Sequence, residues 1–152
     1  MSEYIMDLRK IVGHRPLIQC GASVIVEDIQ NRILLQLRHD NHTWSYAGGS
    51  VEIGEEVEQT AKRELYEETG LVAEELQLLG IFSGEGMDYV YPNGDQVSCI
   101  DIVYVCNKYH GELKPQESEV DDLRFFSLEE IPDQIAPMNQ KAIRAYLKTK
   151  EK

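Results

Sequence analysis

Apolar and polar positions alternate in two rhythms along this chain, and each rhythm marks a different kind of element. Near the start, Ile5, Leu8, Ile11 and Val12 recur at helical spacing, and Gly13 stands where it could close a helix; a strand is the competing reading. Leu17 to Glu27 reads as a strand in which Leu17, Cys20, Ala22, Val24 and Val26 combine alternation with a continuous apolar middle. Asp28 to Arg32 is a turn rich in Asp and Asn, and Ile33 to Arg38 (ILLQLR) reads as a second strand, so the pair predicts a hairpin. Trp44-Ser45-Tyr46 is a short strand running into Gly48-Gly49. The rhythm then changes. From Glu55 to Thr69 there is no Gly or Pro, good helix formers predominate, and Gly70 supplies a C-cap.

Beyond that helix, Glu75 to Phe82 reads as a strand and Ser83 to Met87 as a loop or bulge. Asp88 to Tyr91, the turn Pro92-Asn93-Gly94-Asp95, and Gln96 to Lys108 read as a hairpin ending in a long strand. Both faces of the long strand are largely apolar, as in a strand covered on two sides. Asp101 breaks that pattern, with equal weight on a basic partner and on a substrate contact. Gly111 to Val120 is a loop carrying Glu117 and Glu119, and Leu123 to Ser127 is a short strand. Ser127 is placed as an N-cap with Glu130 at the capping-box position, and Pro137 to Lys148 forms a closing helix. No repeat, low-complexity segment or linker interrupts the chain, so residues 1–152 are expected to form a single domain, with a core over about 8–132 and a C-terminal helix over about 137–148. Strands before and after one long helix make an α+β order, a mixed sheet between helical layers.

Charge narrows the partners. The chain has 152 residues and a formal net charge of −12, which argues against a nucleic-acid backbone or an anionic membrane as its partner. No stretch approaches the length of a spanning helix, and MSEYIMDLRK lacks the apolar core of a signal peptide, so a cytoplasmic location is expected. Cys20, Cys99 and Cys106 are odd in number and widely spaced, and read as reduced, strand-buried thiols. His39 and His42 lack the partners of a zinc site and read as solvated loop residues.

The acidic charge is concentrated in one place. Glu52, Glu55, Glu56, Glu58, Glu64, Glu67, Glu68, Glu74 and Glu75 face only Lys62 and Arg63, a local balance of 2 − 9 = −7. At about 100° per residue with Glu64 as zero, Val57 falls at about 20°, Glu68 at about 40°, Ala61 at about 60°, Leu65 at about 100° and Glu67 at about −60°. Glu64 and Glu68 therefore share the apolar arc, whereas Glu55, Glu56 and Glu58 suit an ordinary solvated face. Two partly desolvated carboxylates one turn apart need either a proton or a cation between them. Three clustered oxygen donors on a helix suit a hard divalent ion, Mg²⁺ or Mn²⁺. Arg63 has a simple role available, an i,i+4 pair with Glu67, which makes it a positioning residue.

The spacing Gly49, five residues, Glu55, seven residues, Arg63-Glu64-Leu65, one residue, Glu67-Glu68, one residue, Gly70-Leu71 matches the Nudix box at every fixed position. Residues from about Leu8 to Pro132 resemble a Nudix domain, and small bacterial hydrolases of that family most of all. One departure is Ala47, where family members commonly carry Pro before the double Gly. The resemblance implies a curved mixed sheet sandwiched between helices. It also implies Mg²⁺- or Mn²⁺-dependent hydrolysis of a nucleoside diphosphate linked to another group. By the same resemblance Glu64 and Glu68 are the principal metal ligands, Glu67 is a third, and the backbone carbonyl of Gly48 joins them. Glu55 and Arg63 are placed as positioning residues. The general base is left among Glu64, Glu67 and Glu119, with Glu117 as fallback, because the family uses either a box glutamate or an acid in a late loop; Glu119 stands six residues before Phe125, at that late position.

Recognition of the nucleotide is assigned to Trp44, Phe82, Tyr89 and Tyr91, the last two on the loop from Ser83 to Asp95. Trp44 also suits a plain core role. The expected partner is a small nucleotide derivative, with no nucleic acid and no membrane; a homodimer is compatible with the sequence. RNA-cap hydrolysis is disfavoured because no basic track exists. A nucleotide-sensing module would be expected to lose box glutamates, and an isomerase of the same fold needs a catalytic Cys and a longer chain. Neither fits as well as a hydrolase.

Overall fold

A computed structural model describes residues 3–116 and 118–151. Helix α1 (Glu3–Val12) is followed by β1 (Leu17–Val26), β2 (Ile33–Arg38), β3 (Trp44–Ser45), β4 (Ala47–Ser50) and helix α2 (Val57–Thr69). Then come β5 (Val72–Phe82), β6 (Asp88–Val90), β7 (Gln96–His110), β8 (Val120–Phe126), and the C-terminal helix α3 (Gln140–Thr149). Short 3-10 turns at Leu128–Glu130 and Pro137–Asn139 join the last strand to α3.

The strands form two sheets. The larger, mixed sheet has the order β4-β1-β7-β5, with β6 also paired to β7, and the smaller antiparallel sheet has the order β3-β2-β8. β1 and β7 run parallel over ten registered pairs, from Leu17 opposite Val97 to Val26 opposite Cys106. Alternation along these strands builds a core on each face. On one face, Val24, Val26, Tyr104 and Cys106 pack with Ala61 and Leu65 of α2. On the other, Ile25 and Val103 pack with Ile143 and Tyr146 of α3. The α+β sandwich expected from the sequence is the observed one. The pairing of β5 with β7 carries three register shifts, the bulges that bend and twist a sheet.

Several expectations need correction. β1 and β2 do not form a hairpin ladder: Asp28 closes the turn by accepting from the Gln30 and Arg32 amides, yet a single bridge, Glu27 to Ile33, is all that joins the strands before they part into different sheets. Each strand finds partners distant in sequence that bury more of it. β5 begins at Val72 rather than Glu75, and Pro137 starts a 3-10 turn while α3 proper begins at Gln140. Ser127 precedes its short turn without a side-chain cap bond. Of the three thiols only Cys106 is buried; Cys20 is exposed because its end of β1 is uncovered on that face. Glu117 lies outside the described residues. Among the described residues, no helix is long and apolar enough to cross a membrane.

Candidate active site

Helix α2 is fixed at both ends by its own sequence. Glu56 is the N-cap in extended conformation and forms a reciprocal capping box with Gln59. Gly70, at φ 81°, ends the helix in the left-handed region and donates its N–H to Tyr66 O at 2.9 Å. Ala61 and Leu65 are fully buried against the sheet, so the register of the helix is locked and the carboxylates one turn apart are aimed together. Gly48 and Gly49, on β4 beside β1, bring the backbone against this face.

Arg63 organises the outer carboxylates. Its Nε and Nη2 donate to the two oxygens of Glu55 at 2.8 and 3.0 Å, and its Nη1 donates to Glu64 at 2.8 Å and Glu67 at 3.4 Å. The guanidinium beside Glu55 holds that carboxyl down at about 2. Burial acts the opposite way on Glu64, raising it above the usual carboxylate range despite Arg63. Glu68 is deeper still. Its carboxyl accepts from Gln36 Nε2 at 2.7 Å and from the Gly48 amide at 2.9 Å, and enclosure, reinforced by the charge of Glu64, pushes it up to about 8.

Gly48, Glu64, Glu67, Glu68, Arg63 and Glu119 all line one polar cavity, so the chain brings the box acids and the late-loop acid together. Glu55 joins through Arg63. Among the described residues, no three His, Cys, Asp or Glu side chains are already gathered as a ligand set. Arg63 draws Glu64 and Glu67 toward itself, while Glu68 faces Gln36 and Gly48. The residues fit a hard cation all the same. The donors are carboxylate oxygens on one wall, two of them raised by burial, and the carboxyl of Glu64 occupies the space a Cβ on Gly49 would fill.

A second pocket adjoins the first, and the two share Gln19, Arg38, Asp40, Gly48, Gly49, Glu68 and Tyr91. Tyr89 and Tyr91 stand on its wall, edge to face at 4.9 Å between centroids. Trp44 and Phe82, also expected to meet the substrate, are absent from both linings among the described residues. Trp44 packs on Phe126 at 4.8 Å under the guanidinium of Arg124, and Phe82 packs on the core beneath α3, each burying aromatic area against elements distant in sequence.

Sequence reasoning missed the pocket's polar floor. Gln19, Gly21 and Ser23 alternate on one face of β1, beside Cys99 and Asp101 of β7. Among the described residues Asp101 has no basic partner; it accepts from Ser23 Oγ at 2.7 Å and from Tyr46 Oη at 2.8 Å, with burial raising its carboxyl. Gln36 and Ser45 complete the floor from the smaller sheet. The available signal was the lone Gln within ILLQLR.

The NUDIX domain family model matches residues 18–147. The chain belongs to the Nudix family. As a Nudix pyrophosphohydrolase it hydrolyses a nucleoside diphosphate linked to another moiety. A relative named ADP-ribose pyrophosphatase, from Methanocaldococcus jannaschii, is 36% identical, over 98% of this chain and 86% of its own length. A Vibrio cholerae relative named NAD-capped RNA hydrolase NudC is 33% identical over 82% of this chain, which spans 42% of that protein's length. Among solved structures, a MutT Nudix hydrolase from Burkholderia pseudomallei matches with a TM-score of 0.70 at 25% identity, over 85% of this chain and 98% of its own. A MutT protein from Methanosarcina mazei Go1 has a TM-score of 0.72 at 18% identity, over 91% of this chain and 99% of its own, and supports the fold alone.

Proposed function

We propose that this Nudix chain, acting as one domain, splits a nucleoside diphosphate joined to a sugar, with ADP-ribose as the type substrate, using Mg²⁺ or Mn²⁺. The observation that carries the reading is the junction of two unlike cavities at Gly48, Gly49 and Glu68. One carries the box glutamates and is suited to metal and diphosphate, the other is walled by Tyr89 and Tyr91 over a polar floor. The ADP-ribose pyrophosphatase relative, similar over nearly the whole chain, supports the same substrate class.

In this reading Glu68, Glu64 and Glu67, with the carbonyl of Gly48, hold the cation. When bound, it neutralises the anhydride oxygens and lowers the pKa of a water. Arg63 keeps Glu64 and Glu67 in place, anchored in turn by Glu55. The base that takes the water's proton is Glu64, Glu67 or Glu119, each of which faces the cavity. Tyr89 and Tyr91 flank the nucleotide. Water adds to one phosphorus, the bridging oxygen leaves, and ADP-ribose yields AMP and ribose 5-phosphate. The net charge of −12 favours a small nucleotide over capped RNA, despite the name of the NudC relative.

The test is turnover of ADP-ribose, NAD⁺, nucleoside triphosphates, nucleotide sugars, dinucleoside polyphosphates and NAD-capped RNA, each with Mg²⁺ and with EDTA. ADP-ribose should rank first and be inert in EDTA. Full turnover in chelator overturns the metal assignment, and a preference for triphosphates or capped RNA overturns the substrate class.

A further inference from the structure

Four buried side-chain atoms among the described residues lack a hydrogen-bond partner: Arg9 Nε, Gln19 Oε1, Gln36 Oε1 and Ser45 Oγ. The last three belong to residues that line the pocket walled by Tyr89 and Tyr91. A buried polar atom left unpaired destabilises a fold, so three around one cavity call for a reason beyond folding. Gln36 and Ser45 are 2% and 4% exposed, and they are cross-strand partners on β2 and β3, so the two side chains leave the same face of the small sheet. The amide nitrogen of Gln36 is already committed to Glu68 at 2.7 Å, which leaves its oxygen as the open group. Gln19 likewise commits its nitrogen to Ser50 Oγ. Across the floor, Asp101 accepts one hydrogen bond on each oxygen and has capacity for more. The nearest cation on this lining, Arg38, is held by Asp40 at 2.9 and 3.1 Å.

We propose that Gln36 Oε1, Ser45 Oγ and Gln19 Oε1 read hydrogen-bond donors on the substrate, so that the group entering this pocket is a neutral ring bearing N–H or O–H donors. The inference rests on the reading of the chain as a nucleotide hydrolase and adds which atoms select the substrate. Open acceptor atoms at these three positions disfavour a further phosphate there and favour an amino group or a pair of hydroxyls. Two parts of an adenosine nucleotide carry that chemistry, the 6-amino group of the base and the ribose hydroxyls. The edge-to-face tyrosines give either ring an apolar cover.

Binding in EDTA isolates the pocket from catalysis, so failure of the hydrolase reading and failure of this one are separable. The probes are AMP, purine riboside 5′-monophosphate, which lacks the amino group, and 2′,3′-dideoxy-AMP, which lacks the hydroxyls. AMP should bind saturably, and at least one analogue should bind about fivefold or more weakly, the worth of one hydrogen bond. Which analogue loses affinity identifies the donor. In Ser45→Ala and in Gln36→Leu that penalty should shrink, as in a double-mutant cycle. Ser45→Ala should also melt no lower than the parent, because it deletes an unpaired hydroxyl. Three results overturn the proposal: no saturable AMP binding, both analogues within fivefold of AMP, or a penalty that survives both substitutions.

Discussion

Arg63 and Glu55 face each other through two hydrogen bonds, Nε to Oε2 at 2.8 Å and Nη2 to Oε1 at 3.0 Å. The same guanidinium reaches Glu64 at 2.8 Å, so the orientation of an assigned metal ligand depends on an acid outside the ligand set. Paired with Arg63, the Glu55 carboxyl is held at about 2 against an ordinary value of 4.5. A carboxyl depressed in the folded state adds stability above its unfolded pKa and loses it as pH falls through the folded one. Acid titration of the melting temperature should therefore show a component lost between 4.5 and about 2 that is missing in Glu55→Gln. Identical acid profiles would refute the pairing. Arg63→Lys cannot hold the fork, and its turnover should fall by about a hundredfold, the scale of a misplaced catalytic group.

Glu68→Gln separates a metal ligand from a solvated helix residue. Its amide oxygen can still accept from the Gly48 amide, but one charge is gone. Turnover should fall by about a thousandfold or more, since metal charge stabilisation is worth several kcal/mol. In EDTA the variant should melt no lower than the parent, because burial pushes the Glu68 carboxyl up to about 8 and the amide replaces a group already mostly uncharged at neutral pH. Exposed Glu58, at about 120° from Glu64 around the helix, is the control, and Glu58→Gln should leave both measurements unchanged. Ordinary turnover in Glu68→Gln would remove Glu68 from the ligand set.

The two glycines before the helix should respond differently to a methyl group. At Gly49 an added Cβ overlaps the carboxyl of Glu64, the far end of a flexible side chain that can swing away. Gly49→Ala should fold with nearly parental stability and lose most of its turnover. At Gly48 the overlap is with the Oγ and Cβ of Ser23 on β1, close to the backbone oxygen of Ala22. Gly48→Ala should cost stability by about 1–3 kcal/mol, as overpacking does. Paired melting curves and rates distinguish the cases, and equal stability losses would contradict the assigned packing.

Tyr89→Ala and Tyr91→Ala should reorder the substrates more than they slow the best one, since the two rings line the pocket proposed for the nucleotide and, of the two, Tyr91 also reaches the acidic cavity. Relative kcat/KM values across the substrate panel provide the measurement. A ranking unchanged in both variants would place recognition elsewhere on the pocket wall.

The acidic half of the site was legible because its residues are local. A helix register, one capping glycine and the box spacing place Glu64, Glu67 and Glu68 within five positions, and no distant contact is needed to know that they share a wall. The second pocket is assembled from Gln19, Gln36, Ser45, Tyr89 and Asp101, which no window of sequence holds together. The surroundings of Trp44 were hidden for the same reason: its neighbourhood in sequence is a polar loop, and its neighbourhood in space is Phe126 and Arg124. The predicted hairpin of β1 and β2 failed after a correct turn. The turn residues specify a reversal, but partners 80 positions away in β7 decide where β1 lies.

That separation has a bearing on how the enzyme comes into being. Every one of the ten pairs in the parallel ladder joins residues 80 positions apart, as Leu17 is from Val97. Loop entropy must be overcome before such contacts give anything back, so this ladder forms slowly and late. A chain emerging from the ribosome displays the entire glutamate helix before residue 97 has been made, and at that stage the floor under the helix lacks a strand. A nascent or truncated chain ending before β7 would carry every residue of the box and hold neither pocket. The motif is thus inert by itself; what turns it into an enzyme is the arrival of a strand that contains none of its residues.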